Sequence, residues 1–221
     1  MENEFAFALG PVVIATSVIT TWGIMLVITA LAWLSTRRLE MLPGKLQTTV
    51  ESIVVAIDKA IVAVAPEHGR LILPFIATLW LFLIIANLIG LIPGLHSPTR
   101  DLSVTSALAI LVFFSVHWFG IKTQGLKNYL RHYLSPSPIL LPFHIISELT
   151  RTLALAVRLF GNIMSLEMAA LLVLLVAGFL VPIPILMLHI IEALVQAYIF
   201  GMLALVYVAG AIQSQQHDSP E

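Results

Sequence analysis

Long apolar runs predict several helices that cross a membrane. Residues 12–34 contain no ionisable side chain, and residues 71–92 and 102–121 form two further apolar runs. Each run approaches or exceeds the ~20 residues that an α-helix needs to cross a bilayer's hydrocarbon core. Before the third run, Asp101 or Ser103 can cap the helix. The pattern predicts three single spans.

A fourth apolar tract, residues 139–181, is too long to stand upright in a membrane. As one helix it would extend about 60 Å, against a hydrocarbon core of about 30 Å. We expect it to tilt strongly, bend near Gly161 or Gly178, or leave the membrane. The sequence PIPIL then interrupts the tract before a last helix over residues 186–212.

In residues 45–65, apolar side chains recur every three or four positions, as on one face of an α-helix. Glu51, Asp58 and Lys59 lie off the apolar face, and three charges inside one membrane span would be costly. We therefore predict an amphipathic helix on the membrane surface. Its apolar face comprises Val50, Ile53, Val54, Ile57, Ile61 and Val64.

Composition supports an all-α integral membrane protein with a single membrane domain. Of its 221 residues, 59% are hydrophobic and 10% charged, whereas soluble domains average about 25% charged residues. The net charge of -1 gives no basic field for nucleic acid, and the absence of cysteine excludes disulfides and thiolate metal sites. Two glutamates and no Lys or Arg precede the first run, so we expect a retained span and no signal peptide.

The distribution of basic residues predicts the orientation. Arg37, Arg38, Lys45, Lys59 and Arg70 lie between the first and second spans, and Lys122, Lys127 and Arg131 follow the third. Arg100 is the lone basic residue of the intervening turn. By the positive-inside rule, the N-terminus is expected outside, and the C-terminus inside.

The candidate chemistry is concentrated in residues 144–167, which read as helix. At about 100° per residue, one stripe of this helix is polar. Two arginines on it are costly, about 2.5–3.5 kcal/mol each at a bilayer centre, and such residues normally face a bundle interior or an aqueous cavity. The stripe contains His144, Glu148, Arg151, Arg158, Asn162 and Ser165.

Arg158 admits two interpretations. Its guanidinium is a fixed positive charge that cannot relay protons, so it either forms a structural salt bridge with Glu148 or Glu167, or presents its charge to a partner. Glu167 follows nine residues later, about 180° away on a straight helix. One face could then present the cation, and the other a carboxylate.

The last helix carries a second polar stripe, formed by His189, Glu192 and Gln196, with Tyr207 further along. Histidine and a buried carboxylate can exchange protons, which fits an ion pathway. The alternative is an interhelical hydrogen-bond cluster that only packs the bundle. No motif for a metal, nucleotide or catalytic nucleophile occurs, so neither a cofactor nor catalytic residues are expected.

Several segments resemble subunit a of the F-type rotary ATP synthases, over roughly residues 70–211. The resemblance is carried by RLFGNIMSLE around Arg158, NLIGLIP from Asn87, DLSVT from Asp101, Glu148 with Arg151, and QAYIF from Gln196. It implies an outer span, a surface helix, two more spans and two long tilted helices facing a rotor ring.

The resemblance also implies roles for single residues. Arg158 would be the essential arginine, with Asn162 beside it and Gln196 facing it. Glu167 and His189 would belong to the outer half-channel, where Glu192 is an additional carboxylate that tunes the pathway or pairs with His189. Glu148 and Arg151, with His144, are candidates for the inner half-channel.

The implied function is that of a non-catalytic stator in a bacterial plasma membrane. Two half-channels against the c-subunit ring would couple H⁺ or Na⁺ flow to rotation and to ATP synthesis or hydrolysis by the soluble head. A b-subunit stalk is the further implied partner, although the N-terminal region is short for its contacts. Two other functions stay open: a self-contained transporter or channel with Arg158 as an anion site, and a structural scaffold.

Overall fold

The protein is a set of packed α-helices preceded by two short paired β-strands. The computed structural model describes residues 5–9, 12–37, 44–92, 95–127, 129, 141–177 and 182–213. The strands β1 (Phe5–Leu9) and β2 (Val12–Ala15) pair antiparallel. The helices are α1 (Thr16–Thr36), α2 (Lys45–Val64), α3 (Gly69–Leu88), α4 (Leu102–Gln124), α5 (Leu141–Ala177) and α6 (Pro182–Gln213).

Five of these helices, α1 and α3 to α6, are long and apolar enough to cross a membrane. A helix satisfies its own backbone hydrogen bonds, which is why such apolar segments fold this way in lipid. The all-α membrane fold class is therefore confirmed for the spanning part. The α2 helix is too polar to count among them, in agreement with its predicted amphipathic character.

The helices differ in several places from the sequence prediction. The second and third spans run over Gly69–Leu88 and Leu102–Gln124, where residues 71–92 and 102–121 were predicted. The first span begins at Thr16, because residues 12–15 pair in the hairpin. Helix α5 is continuous from Leu141 to Ala177, so Gly161 does not break it; Gly178 lies outside the described residues. Helix α6 begins at Pro182 and not at residue 186, because proline fits a helix's first turn, where the amide hydrogen has no partner.

The core lies between α3 and α6, with α4 and α5 packed against them. Ile72, Ile76 and Leu83 of α3 are fully buried, as is Leu205 of α6. Close approach depends on Gly201, because a Cβ atom there would overlap the Trp80 indole. Helix α1 is peripheral: of its side chains, only Ile24 is buried.

The connection from α3 to α4 contains two single-turn 3-10 helices, Ile89–Leu91 and Pro98–Arg100. Asp101 caps α4, as expected, and accepts a hydrogen bond of 2.9 Å from the Ser103 backbone N–H. The Ser17 hydroxyl of α1 donates to the other Asp101 oxygen at 2.7 Å. Asp101 therefore joins the start of α4 to α1.

Candidate functional site

Arg158 lies on the exposed face of α5. Its neighbours Leu155, Ala156 and Leu159 are buried against the bundle, whereas Val157 and Arg158 point away from it. Within the described part of the chain, the Arg158 guanidinium has no hydrogen bond or ion pair. The structure thus presents a fixed positive charge, without a counter-ion of its own, on a membrane-length helix.

Of the two interpretations of Arg158, the structural salt bridge to Glu148 or Glu167 is not found among the described residues, where both carboxylates have other partners. A Glu148 oxygen lies 3.4 Å from Nε2 of His117 on α4. A Glu167 oxygen lies 3.2 Å from Nη1 of Arg100 in the α3–α4 connection. The carboxylates project from α5 to opposite ends of α4, so neither reaches the arginine between them.

Glu167 belongs to a group of polar side chains that we call the Glu167 cluster: Asn87, Ser97, Thr99, Arg100 and Glu167. Besides Arg100, the Ser97 backbone N–H donates to the carboxylate at 3.3 Å. The carboxylate needs the absence of a side chain at Gly90, since a Cβ atom there would lie 2.8 Å from Glu167 Oε1. Glycine in the NLIGLIP segment therefore makes room for the acid.

The centre of the cluster is a chain of buried hydrogen bonds. Thr99 Oγ1 donates to Asn87 Oδ1 at 2.8 Å, and Ser97 Oγ donates to the Ala86 carbonyl at 2.8 Å. The two hydroxyl oxygens are themselves 2.6 Å apart. Two hydroxyl hydrogens cannot serve all three contacts at once, so one contact always lacks its hydrogen.

The cluster extends to α6 through Asn87, which is fully buried. Its amide donates to the Ala193 carbonyl at 3.1 Å, and Nε2 of His189 lies 3.5 Å from the Asn87 carbonyl. His189 is itself buried. Glu167 and His189, which the sequence assigned to one pathway, thus contact the same group of residues from two different helices.

The other predicted residues of this region occupy different environments. Glu192 is half-buried, and the described residues give it no hydrogen bond or ion pair; its expected pairing with His189 is absent from them. Gln196 is buried and Asn162 half-buried, and neither amide is hydrogen-bonded to Arg158 there. The predicted stripes are therefore real faces, but not a preformed contact network around the arginine.

A cavity of about 540 Å³ opens near the start of α5, and we call it the α5 cavity. Three residues predicted from the sequence line it, His144, Glu148 and Arg151, together with Tyr207 of α6. The Arg151 guanidinium carbon lies 5.6 Å from the centre of the Tyr207 ring, within cation–π range. A cavity of this size and polarity has room for several water molecules.

His117 is the cavity-side residue that sequence reasoning missed. Its Nδ1 lies 2.9 Å from the Phe113 carbonyl oxygen; because a carbonyl only accepts, this nitrogen carries a hydrogen. The other nitrogen, Nε2, is then the one that gains or loses a proton beside Glu148. The sequence signal was a single histidine in an otherwise apolar span, four residues before Ile121.

Arg158 lies midway along α5 between the two polar regions. Glu148 precedes it by ten residues and Glu167 follows it by nine, or roughly 15 Å and 14 Å along the axis at 1.5 Å per residue. In the described ranges, no group of three or more His, Asp or Glu side chains could hold a metal ion. What the arrangement offers is a fixed cation between two regions that contain ionisable groups.

Comparison with known proteins decides the family. Residues 18–209 match the family model described as ATP synthase A chain. The chain belongs to this family. A curated member from Pelobacter propionicus, ATP synthase subunit a 2, is 68% identical over 212 residues, which cover 96% of this chain and 93% of that protein.

Other members of the family cover nearly the whole chain as well. ATP synthase subunit a 1 of Hahella chejuensis is 65% identical, with 96% of this chain and 90% of that protein covered. ATP synthase subunit a of Legionella pneumophila is 59% identical, with 96% and 93% covered. The resemblance recognised in the sequence is thus confirmed, and with it membership of an ion-transporting membrane complex.

Proposed function

We propose that this chain is the stator subunit a of an F-type ATP synthase, with Arg158 facing the carboxylates of a rotor ring. The observation that carries the proposal is the guanidinium in the middle of a membrane-length helix, exposed and without a partner among the described residues. A guanidinium facing lipid is costly, so its most favourable neighbour is a carboxylate on another membrane protein. Family membership and the close relatives support this assignment.

The surface around Arg158 has the character of a protein interface inside a membrane. Large apolar side chains of α5, before and after the arginine, are exposed, as are others on α6, and they offer no counter-charge. A ring of apolar helices carrying one carboxylate each would cover this surface and neutralise the guanidinium. The exposed side chains include Leu149, Leu153, Val157, Met164, Leu188, Ile191, Val195 and Tyr198.

The α5 cavity and the Glu167 cluster fit the two half-channels of such a stator. Each contains ionisable groups, and the Arg158 charge between them opposes a cation that would pass directly from one to the other. The ion must then bind a rotor carboxylate and travel round the ring. The basic residues that follow α1 and α4 favour a cytoplasmic position for the cavity and an external one for the cluster.

The chain itself then performs no bond chemistry. It lets ions enter and leave the rotor, and the resulting rotation drives the soluble head, with a b-subunit stalk preventing rotation of the stator. A membrane potential supplies about 2.3 kcal/mol per charge per 100 mV, so several ions are needed for each nucleotide. The site of action is a bacterial plasma membrane, with the N-terminus outside.

The decisive experiment is ATP-driven ion pumping by the assembled complex in membrane vesicles, comparing the wild type with Arg158→Ala and using both proton and sodium readouts. Loss of the fixed charge should abolish pumping, at least about 100-fold by analogy with removal of one preorganised charge elsewhere, while ATP hydrolysis by the head and assembly persist. Arg70→Ala is the matched control, because Arg70 is an exposed arginine distant in sequence from the polar regions.

The result also decides between the remaining functions. Undiminished pumping by Arg158→Ala would show that the arginine is structural and would reject the stator mechanism. Ion or solute uptake by the isolated chain would favour a self-contained transporter. The stator mechanism predicts neither undiminished pumping by Arg158→Ala nor uptake by the isolated chain. Whichever of the proton and sodium readouts responds in the wild type identifies the coupling ion.

A further inference from the structure

Arg100 contacts the carboxylate of Glu167 in an arrangement that the general stator mechanism does not require. The Arg100 Nη1 donates to Oε2 at 3.2 Å, and the Ser97 N–H donates to Oε1 at 3.3 Å. Both carboxylate oxygens therefore have a donor from the same connection between α3 and α4. The carboxylate of an acid in a candidate ion pathway is therefore already paired with a positively charged side chain.

The two partners of this ion pair differ in how firmly they are held. The Glu167 side chain is 11% exposed and that of Arg100 34% exposed. The backbone that carries Arg100 is fixed by the buried Ser97 and Thr99 hydrogen bonds, whereas the guanidinium itself reaches the surface. The guanidinium can therefore leave the carboxylate for water without any movement of the backbone.

We propose that the Arg100 guanidinium competes with the transported cation for the Glu167 carboxylate. It binds the carboxylate between ion passages and leaves it each time a cation enters. This inference rests on the proposed stator function, and it names a positioning residue of the external pathway. A cation, whether H⁺ or Na⁺, binds only the fraction of carboxylate that Arg100 has released. The apparent affinity for the ion is lowered by that fraction.

The competition has opposite consequences for the two directions of transport. Entry from the Glu167 side requires displacement of the guanidinium, so Arg100 raises the ion concentration needed for half-maximal rate. Release to the same side is assisted, because the returning guanidinium replaces the ion. A purely structural ion pair would instead affect both directions alike, through reduced assembly or stability.

The test compares wild type, Arg100→Ala and Arg100→Lys in proteoliposomes that contain the complete complex. ATP synthesis is driven by a clamped potassium diffusion potential, and the coupling ion is varied equally on both sides so that the driving force stays constant. For Arg100→Ala we expect the half-saturating ion concentration to fall about two- to fivefold, the range expected for a partly exposed ion pair. The maximal rate of ATP-driven pumping should fall, because release is slower.

Two control variants define the alternatives. Arg100→Lys retains the charge and should stay close to the wild type, and Arg70→Ala should change neither quantity. If the Arg100→Ala complex fails to assemble, Arg100→Gln replaces it, because a glutamine amide can donate a hydrogen bond to Glu167 without carrying a charge. The same fall in half-saturating ion concentration is expected. An unchanged or increased half-saturating concentration in the assembled variant overturns the proposal.

Failure of this inference is distinct from failure of the proposed function. If Arg158→Ala abolishes pumping while Arg100→Ala leaves the ion dependence unaltered, the stator mechanism holds and only the competition is rejected. If Arg158→Ala pumps normally, the stator mechanism fails whatever the Arg100 variants do.

Discussion

The α5 cavity and the Glu167 cluster handle polar groups in opposite ways. In the cavity, Glu148, Arg151 and His144 line about 540 Å³ of space, where water can hydrate them. In the cluster, Asn87, Ser97 and Thr99 are buried and bonded directly to one another or to backbone carbonyls. The cavity is an open space lined by charged side chains, whereas the centre of the cluster is filled by side chains that are hydrogen-bonded to one another.

This difference shows how each region depends on its residues. A hydrated ion pair contributes little to stability, because water replaces whatever contact is lost. A buried polar group that loses its partner incurs the full cost of desolvation. Substitutions in the cavity should therefore change transport more than stability, and substitutions in the centre of the cluster should do the reverse.

The largest effect should come from Asn87→Ala in the cluster. The substitution removes the donor to the Ala193 carbonyl and the acceptor for Thr99, so two buried groups lose a partner. Because Thr99 keeps its contact with Ser97 Oγ at 2.6 Å, each lost hydrogen bond should cost about 0.5–1.5 kcal/mol, and we expect this chain to dissociate from the purified complex at lower temperature than in the wild type.

The matched control for Asn87→Ala is Ser147→Ala, which removes an exposed hydroxyl from the wall of the cavity. Its retention in the heated complex should be unchanged. Equal losses of retention in the two variants would contradict the contrast between a hydrated and a closed region.

The sequence predicted which side chains share a face of a helix, but not which residues of other segments those side chains contact. Residue spacing placed Glu148, Arg151 and Arg158 on one side of α5, and Asp101 was recognised as a helix cap. Arg100 and Glu167, however, are 67 residues apart, and no local pattern specifies which helix end will lie beside which loop.

His117 and the pair Ser97 and Thr99 were missed for a related reason. A single histidine in an apolar span and two hydroxyls in a turn carry no periodic signal. Their importance follows from what they contact, Glu148 in one case and Asn87 in the other. Family resemblance identified the arginine motif around Arg158, but not these partners.

A smaller effect is expected from His117→Ala, beside the cavity wall. Glu148, which lines the cavity, loses its 3.4 Å contact with His117, and the carboxylate can turn toward Arg151, one helical turn along the same face. Because a partly exposed pair is worth up to about 1 kcal/mol, ATP-driven pumping should fall by no more than about fivefold, with normal retention of the chain in the complex.

The control for His117→Ala is His68→Ala, which removes a histidine that precedes α3 and has no side-chain contact with Glu148 in the described part of the chain. Pumping by this control should equal the wild type. Dissociation of His117→Ala from the complex at the low temperature expected for Asn87→Ala would mean that the cavity is as dependent on its contacts as the cluster.

The smallest effect should come from Asp101→Asn at the edge of the cluster. Burial alone would raise the pKa of Asp101, but hydrogen bonds from the Ser17 hydroxyl and the Ser103 N–H outweigh it and hold the pKa below its usual value. A lowered pKa in the folded chain means that the ionised cap stabilises the fold above the unfolded pKa of about 3.9. That stabilisation is lost as the pH falls through the folded pKa.

Asparagine also caps helices well, so Asp101→Asn should cost less than the ~1 kcal/mol typical of a lost cap. Asp101→Ala should cost about that amount, with retention in the heated complex as the measurement. Lowering the pH from about 5 to about 3 should weaken the wild type more than Asp101→Asn, because only the aspartate has a charge to lose in this range. An identical pH response in both proteins would show that the Asp101 charge does not stabilise the fold and that the cap acts through its hydrogen bonds alone.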